Sequence, residues 1–168
     1  MGEGHLGVRI MANRTTKQKR NNLITGNTGM YFVAYQLSRR GWNVMPTSRN
    51  ARGIDLLAYD ASARKFLGLQ IKTLSRGRNA VPLGLRPHFL GDWWIIVTNV
   101  GNIAEDENPE CFVLTPGEAK RGAVQDEGAP QAFWLPWDYY SKERFRKWDR
   151  IGRGDDAVRN SVRVSGGE

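Results

Sequence analysis

One cysteine, Cys111, and two histidines, His5 and His88, are all that this chain offers to a soft-ligand metal site. A single thiol excludes an internal disulfide and a cysteine-ligated zinc site, and two imidazoles far apart in sequence cannot supply a histidine-based one. Any metal must therefore be held mainly by oxygen. Long apolar runs are also missing. Nothing approaches the roughly 18 consecutive apolar residues of a membrane span, and Met1–Arg20 is polar and basic without the apolar centre of a signal peptide. The expectation is a cytoplasmic protein that does not span a membrane. Acidic residues are in deficit too, 17 against 25 lysines and arginines, for a formal net charge of +8. A surplus of that size favours a polyanionic partner, because neutralising phosphates releases counterions. Nucleic acid is the first candidate and an anionic membrane surface the second.

What is present describes a folding domain. The chain has 168 residues, 40% hydrophobic, with six tryptophans, six phenylalanines and five tyrosines, which suits one domain with its own core. Residues 1–22 carry Arg9, Arg14, Lys17, Lys19 and Arg20 with few apolar anchors and read as a flexible basic arm, or simply an unstructured end. The domain proper is expected over residues 23–150, and 151–168, without periodicity, as a loose tail. Asn27 or Thr28 suits the N-cap of a helix running to Arg40, with Met30, Val33, Ala34 and Leu37 as its core stripe and Gly41 as its stop. Trp42–Met45 reads as a short strand. Ile54–Tyr59 and Phe66–Thr73 read as a hairpin, Asp92–Val100 as a buried strand and Cys111–Leu114 as another. Thr115, Pro116 and Glu118 have the spacing of a capping box opening a helix. Gly101–Glu110 and Gly122–Pro130 read as exposed loops, Trp134–Trp137 as an edge strand, and Ser141–Arg150 as a short basic helix with Phe145 and Trp148 on one side. The order predicts an α/β or α+β fold: a central mixed sheet flanked by helices.

The hairpin carries the candidate chemistry. If Asp60 pairs with Lys65, Asp55 falls opposite Gln70, with Cβ atoms about 4.5–5.5 Å apart, and Lys72 is a diagonal neighbour on the same face. A carboxylate, an amide oxygen and an ammonium would then converge. Phosphodiester hydrolysis uses such a set: oxygen ligands for Mg²⁺ (or Mn²⁺), here Asp55, the Gln70 side chain and the Ile71 carbonyl, and a cation near the attacking water or the developing charge, here Lys72. The same residues equally suit a turn cap and the solvent face of an amphipathic strand. Arg49, Asn50 and Arg52 precede the Asp55 strand, and Arg76 and Arg78 follow the Lys72 strand, so both loops suit contacts to phosphate oxygens or a merely solvated surface.

The runs Gly29-Met-Tyr-Phe-Val-Ala34, Leu37-Ser-Arg-Arg-Gly41-Trp, Gly53-Ile-Asp55-Leu-Leu-Ala58 and Leu69-Gln70-Ile-Lys72-Thr73 together resemble the PD-(D/E)xK nuclease superfamily, and within it small bacterial members with Gln in the second acidic position. The likeness covers about Gly26–Lys120. It implies a restriction-endonuclease-like fold and a metal-dependent DNA endonuclease with Asp55 as metal-binding aspartate, Gln70 in the second acidic position and Lys72 as catalytic lysine. Such families usually carry a glutamate after the first helix's glycine, and here Met30 stands there, a side chain that cannot bind hard Mg²⁺. A nuclease-fold protein that binds DNA or a protein partner without cutting is therefore the alternative. Cutting both strands wants two sites, which a homodimer would supply.

Overall fold

The computed structural model describes residues 22–47, 53–101, 108–127 and 131–156. Helix α1 occupies residues 22–38. Val33 and Leu37 are fully buried and Met30 and Ala34 partly so, as the stripe predicts. Its start differs from expectation. The helix is already formed at residue 22, so Thr28 is interior rather than a cap, and its hydroxyl donates back to the Ile24 carbonyl at 2.9 Å. At the other end the Arg40 guanidinium donates to the Gln36 carbonyl at 2.8 Å, and Gly41 takes the left-handed conformation, φ +81°, that ends the helix.

Eight strands follow: β1 Asn43–Pro46, β2 Leu56–Tyr59, β3 Phe66–Thr73, β4 Val81–Gly84, β5 Trp93–Thr98, β6 Glu110–Leu114, β7 Val124–Gln125 and β8 Phe133–Leu135. Helices α2, Pro116–Gly122, and α3, Trp137–Tyr140, and two 3-10 turns, Glu143–Phe145 and Trp148–Arg150, complete the described elements. The main sheet is mixed, in the order β1-β2-β3-β5-β6, with β3 and β5 its one parallel pair. The molecule is thus an α+β protein around a mixed sheet. The β2–β3 hairpin has the predicted register, Leu56 opposite Leu69 through Tyr59 opposite Phe66. Asp60 fixes it: the carboxylate accepts the Arg64 and Lys65 amides at 2.7 and 2.9 Å and the Ser62 hydroxyl. Those bonds, the Lys65 amide foremost, hold the Asp60 carboxyl below its ordinary pKa.

The two faces of the sheet are covered differently. On one, Leu56, Ala58, Leu67, Leu69, Ile95, Val97 and Val113 pack with Val33 and Leu37 of α1. On the other, Trp94, Ile96, Phe112 and Leu114 meet Val81, Leu135, Tyr140 and Phe145. This second face is not roofed by helices alone, as expected, but by a separate three-stranded sheet in the order β4-β8-β7, with α2 and α3 beside it. The connection from β3 to β5 therefore carries a strand instead of a helix. The strand anticipated at Trp134–Trp137 lies in the middle of that small sheet, not at an edge, and β7 falls in a stretch expected to be loop. The Ser141–Arg150 helix is also corrected. Phe145 is buried in the second core whereas Trp148 packs against the first, and one helix would put residues three apart on one side, so the chain breaks into two 3-10 turns. The capping box of α2 is complete: the Thr115 hydroxyl accepts the Glu118 amide at 3.2 Å and Glu118 accepts the Thr115 amide at 2.8 Å.

The supposed tail is anchored where it is described. Ile151 is buried, the Trp42 indole donates to the Gly152 carbonyl at 3.1 Å, the Ala61 amide donates to the Gly154 carbonyl, and the Gly154 amide donates to Arg40. The basic arm, the loop with Arg49, Asn50 and Arg52, and the rest of the tail lie outside the described residues. No described helix is long and apolar enough to cross a membrane.

Candidate functional site

Asp55 stands one residue before β2, and its surroundings are set by where that strand begins. Its amide donates to the Leu69 carbonyl at 2.8 Å, and its carbonyl accepts the Thr47 amide at 3.0 Å. The β2–β3 ladder ends at Leu56, so the Ile71 amide on β3 has no strand partner there, and the Asp55 carboxylate takes it at 2.6 Å. A side chain thus replaces a ladder acceptor, which fixes the carboxylate against the β3 edge. Ile71 extends its carbonyl along the same edge, since N–H and C=O of one strand residue point to the same neighbour.

The carboxylate opens into a cleft of about 280 Å³ at the end of the sheet. α1 supplies one wall, with Gly26, Asn27 and Met30. The other is made by Thr47 and Ile54 and by Ile71, Lys72 and Thr73 of β3. α1 comes this close because Gly29 has no side chain: a Cβ there would lie 2.1 Å from Thr73 Oγ1 and 2.9 Å from Thr73 Cβ. The position after that glycine therefore faces the Asp55 cleft, and it is occupied by Met30.

Lys72 is shared with a second hollow, of about 530 Å³, on the other side of β3. Its ammonium lies 5.7 Å from the centroid of the Trp94 ring, which packs on Phe89 with centroids 5.0 Å apart. Trp94 Nε1 is buried without a hydrogen-bond partner, so packing rather than a polar bond sets the ring's orientation. Gln70 is buried at 8% exposure, and its side-chain oxygen accepts the Leu90 amide across 3.4 Å, a weak contact. The hollow is bordered by Gln70 and Lys72, and by Arg86, Pro87, His88 and Leu90 from the segment that crosses to β5. That segment is seated by Gly91, φ +81°, which passes so close to β3 that a Cβ would meet the Gly68 carbonyl at 2.6 Å, and by Asp92, which exchanges two 2.7 Å bonds with the Gly68 backbone.

Of the trio singled out in the sequence, Lys72 thus borders both hollows, Asp55 only the first and Gln70 only the second. No protein-family model and no curated protein matches the chain. What the site can do must be read from its own residues. Among the described residues Lys72 takes part in no ion pair within 4.0 Å. No described group of three or more Asp, Glu, His and Cys residues could hold a metal ion. Among the described residues Asp55 gives the cleft lining its one carboxylate, beside the side-chain oxygens of Asn22, Asn27, Thr47 and Thr73, and with the Ile71 carbonyl it makes one lean side of a shell. Magnesium accepts such a set, because it takes one or two carboxylates and completes six-fold coordination with waters and substrate phosphate. The donors present therefore fit Mg²⁺ bound together with a phosphodiester.

Arg76 and Arg78 are exposed in the loop leaving β3, where Arg78 adopts φ +61° and the Gly101 amide pins the loop by bonding the Ser75 carbonyl. Arg86 and His88 were not anticipated. The signal available was an Arg-Pro-His turn a short way after the lysine strand, but only the parallel return of β5 brings it back over that strand. The Arg150 guanidinium, a further cation near the sheet, is engaged structurally: it donates to Glu118 at 2.7 Å and to the Val113 carbonyl.

Proposed function

We propose that this protein is a metal-dependent endonuclease of the PD-(D/E)xK kind, with a restriction-endonuclease-like fold, hydrolysing phosphodiester bonds of DNA at the cleft between α1 and the end of β3. The observation that carries the reading is that Asp55, held by the Ile71 amide, and Lys72, free of any described ion pair, border one cleft. The net charge of +8 and the exposed Arg76 and Arg78 in the loop leaving β3 suit a polyanionic substrate.

Asp55 and the Ile71 carbonyl would hold Mg²⁺, which when bound supplies Lewis acidity toward the phosphoryl group and a more acidic coordinated water. The chain's own contribution is positional and electrostatic. The Ile71 amide keeps Asp55 from rotating away. The Lys72 ammonium, backed by the Trp94 face, offers positive charge where the phosphoryl oxygens would develop negative charge. Gln70 borders the second hollow instead, where its side-chain oxygen makes only the weak contact with the Leu90 amide.

One observation favours a second reading, a nuclease-fold protein that binds DNA without cutting it. Met30 occupies the α1 wall of the cleft, where a second carboxylate would otherwise complete the ligand set. Plasmid nicking with Mg²⁺ and with Mn²⁺, beside Asp55→Ala and Lys72→Ala, separates the two. The nuclease reading expects metal-dependent nicking that falls at least about a hundredfold in either variant. Nicking untouched by both substitutions removes the assignment, and DNA binding with no nicking leaves the second reading.

A further inference from the structure

The second hollow has a composition that the hydrolytic reading does not use. Lys72, Arg86 and His88 border it, and no carboxylate does among the described residues. Leu83, Pro87, Leu90 and the Trp94 ring give it apolar walls, and the buried Gln70 amide gives it one polar group near the floor. Cations at the rim with apolar walls and an amide inside form the chemistry of a nucleotide site: phosphate at the mouth, sugar and base within. A base in a stacked duplex cannot enter a concave hollow, whereas an unpaired one can.

We propose that this hollow receives one unpaired nucleotide of the strand whose neighbouring phosphate lies at Asp55. The position beside the scissile bond rests on the nuclease reading; the binding of a single-stranded nucleotide does not. Lys72 connects the two hollows, so a single strand threading past it passes from the cleft into the pocket without leaving the cation. Arg86 and His88, both exposed, hold the phosphate on the far side. The substrate class that follows is DNA with a single-stranded or frayed stretch rather than continuous duplex.

The test uses the full chain in EDTA, so that binding is read without cleavage, and a fluorescein-labelled oligodeoxythymidylate of about eight nucleotides, a length within the usual single-strand site sizes. Anisotropy titrations compare it with a duplex of equal length for the wild type and the double variant Arg86→Ala/His88→Ala. The single strand should bind more tightly than the duplex. The double variant should lose about tenfold or more on the single strand and lower its log-log salt slope by about one, the share of Arg86, while losing little on the duplex. Thymidine monophosphate should compete more strongly than inorganic phosphate at equal concentration. Unchanged affinity and slope in the double variant, or equal losses on single strand and duplex, overturn the proposal. If nicking depends on Asp55 while the double variant binds normally, the nucleotide site fails and the nuclease reading stands. If wild type never nicks yet the double variant loses single-strand binding, the reverse holds.

Discussion

Replacing Gly29 by alanine should destabilise this protein, although the same change in most helices does the opposite. In an exposed helix interior the added methyl reduces the conformational freedom of the unfolded chain and gains about 1 kcal/mol. Here that methyl would overlap three atoms of Thr73: Oγ1 at 2.1 Å, Cγ2 at 2.6 Å and Cβ at 2.9 Å. Rotation about χ1 moves the first two but not the third, so the threonine cannot turn aside, and α1 must lift from β3 or β3 must bend. Inserting a methyl group into a packed contact costs about 1–3 kcal/mol, and the depth of this overlap puts it at the upper end. The net expectation is a loss of about 1–2 kcal/mol, or a fall in Tm of about 2–8 °C for a chain of this length. Urea unfolding followed by tryptophan fluorescence measures it. In a Thr73→Ala background two of the three overlapping atoms are gone, and the cost of Gly29→Ala should shrink by about 1 kcal/mol, a coupling that only direct contact produces. A stabilised Gly29→Ala protein, or costs that add without coupling, would refute the packing of α1 on β3 and the placement of Met30 at the cleft.

Met30→Glu should add a second hard ligand to the Asp55 cleft, tightening Mn²⁺ binding by calorimetry and raising nicking, at a stability cost of about 1 kcal/mol; unchanged metal affinity would mean the helix does not face the ion. Glu118 is a source of acid sensitivity. Burial pushes its pKa up, but the Thr115 amide and the Arg150 guanidinium outweigh that and hold it below the ordinary value. A carboxyl depressed in the folded state contributes stability above its unfolded pKa of about 4.3 and loses it as pH falls through the folded value, so Glu118→Gln should flatten the decline in stability on acidification below about pH 5. An unaltered acid limb in the variant would show that other carboxylates carry the effect. Burial pushes the Cys111 thiol up to about 12, against a smaller lowering by Arg40, so a chromogenic disulfide reagent at neutral pH should leave it untouched in the native protein and label it in urea. Rapid native labelling would contradict its burial under the sheet.

Local chemistry was legible in the sequence wherever one short segment decides the outcome. The β2–β3 register followed from Asp60 closing its own turn, the start of α2 from the Thr115–Glu118 pair, and the buried run at Trp93–Thr98 from unbroken apolar residues. The small sheet was not legible. Its strands are two to four residues long; β4 contains Pro82 and ends at Gly84, where the register with β8 shifts, so no period-two pattern survives. The site was half legible. The hairpin put Asp55 and Lys72 in reach of one cleft, but facing pairs in a ladder do not predict what happens one residue beyond its end, where the Asp55 carboxylate turns to the Ile71 amide and Gln70 borders the other hollow. Arg86 and His88 came into view only with the parallel return of β5.

That return strand also fixes the order in which the molecule can be finished as it leaves the ribosome. The main sheet is complete once residue 114 has emerged, yet Trp94, Ile96, Phe112 and Leu114 wait for Leu135, Tyr140 and Phe145 to cover them. The last clasp among the described residues, Gly154 on Ala61 and Arg40, ties late-made residues to the early hairpin and to the end of α1. A nascent chain stalled between those points displays a wide greasy face, making it a natural client for chaperones, and removal of residues beyond 132 should yield a sticky sheet with one face uncovered rather than a smaller stable domain.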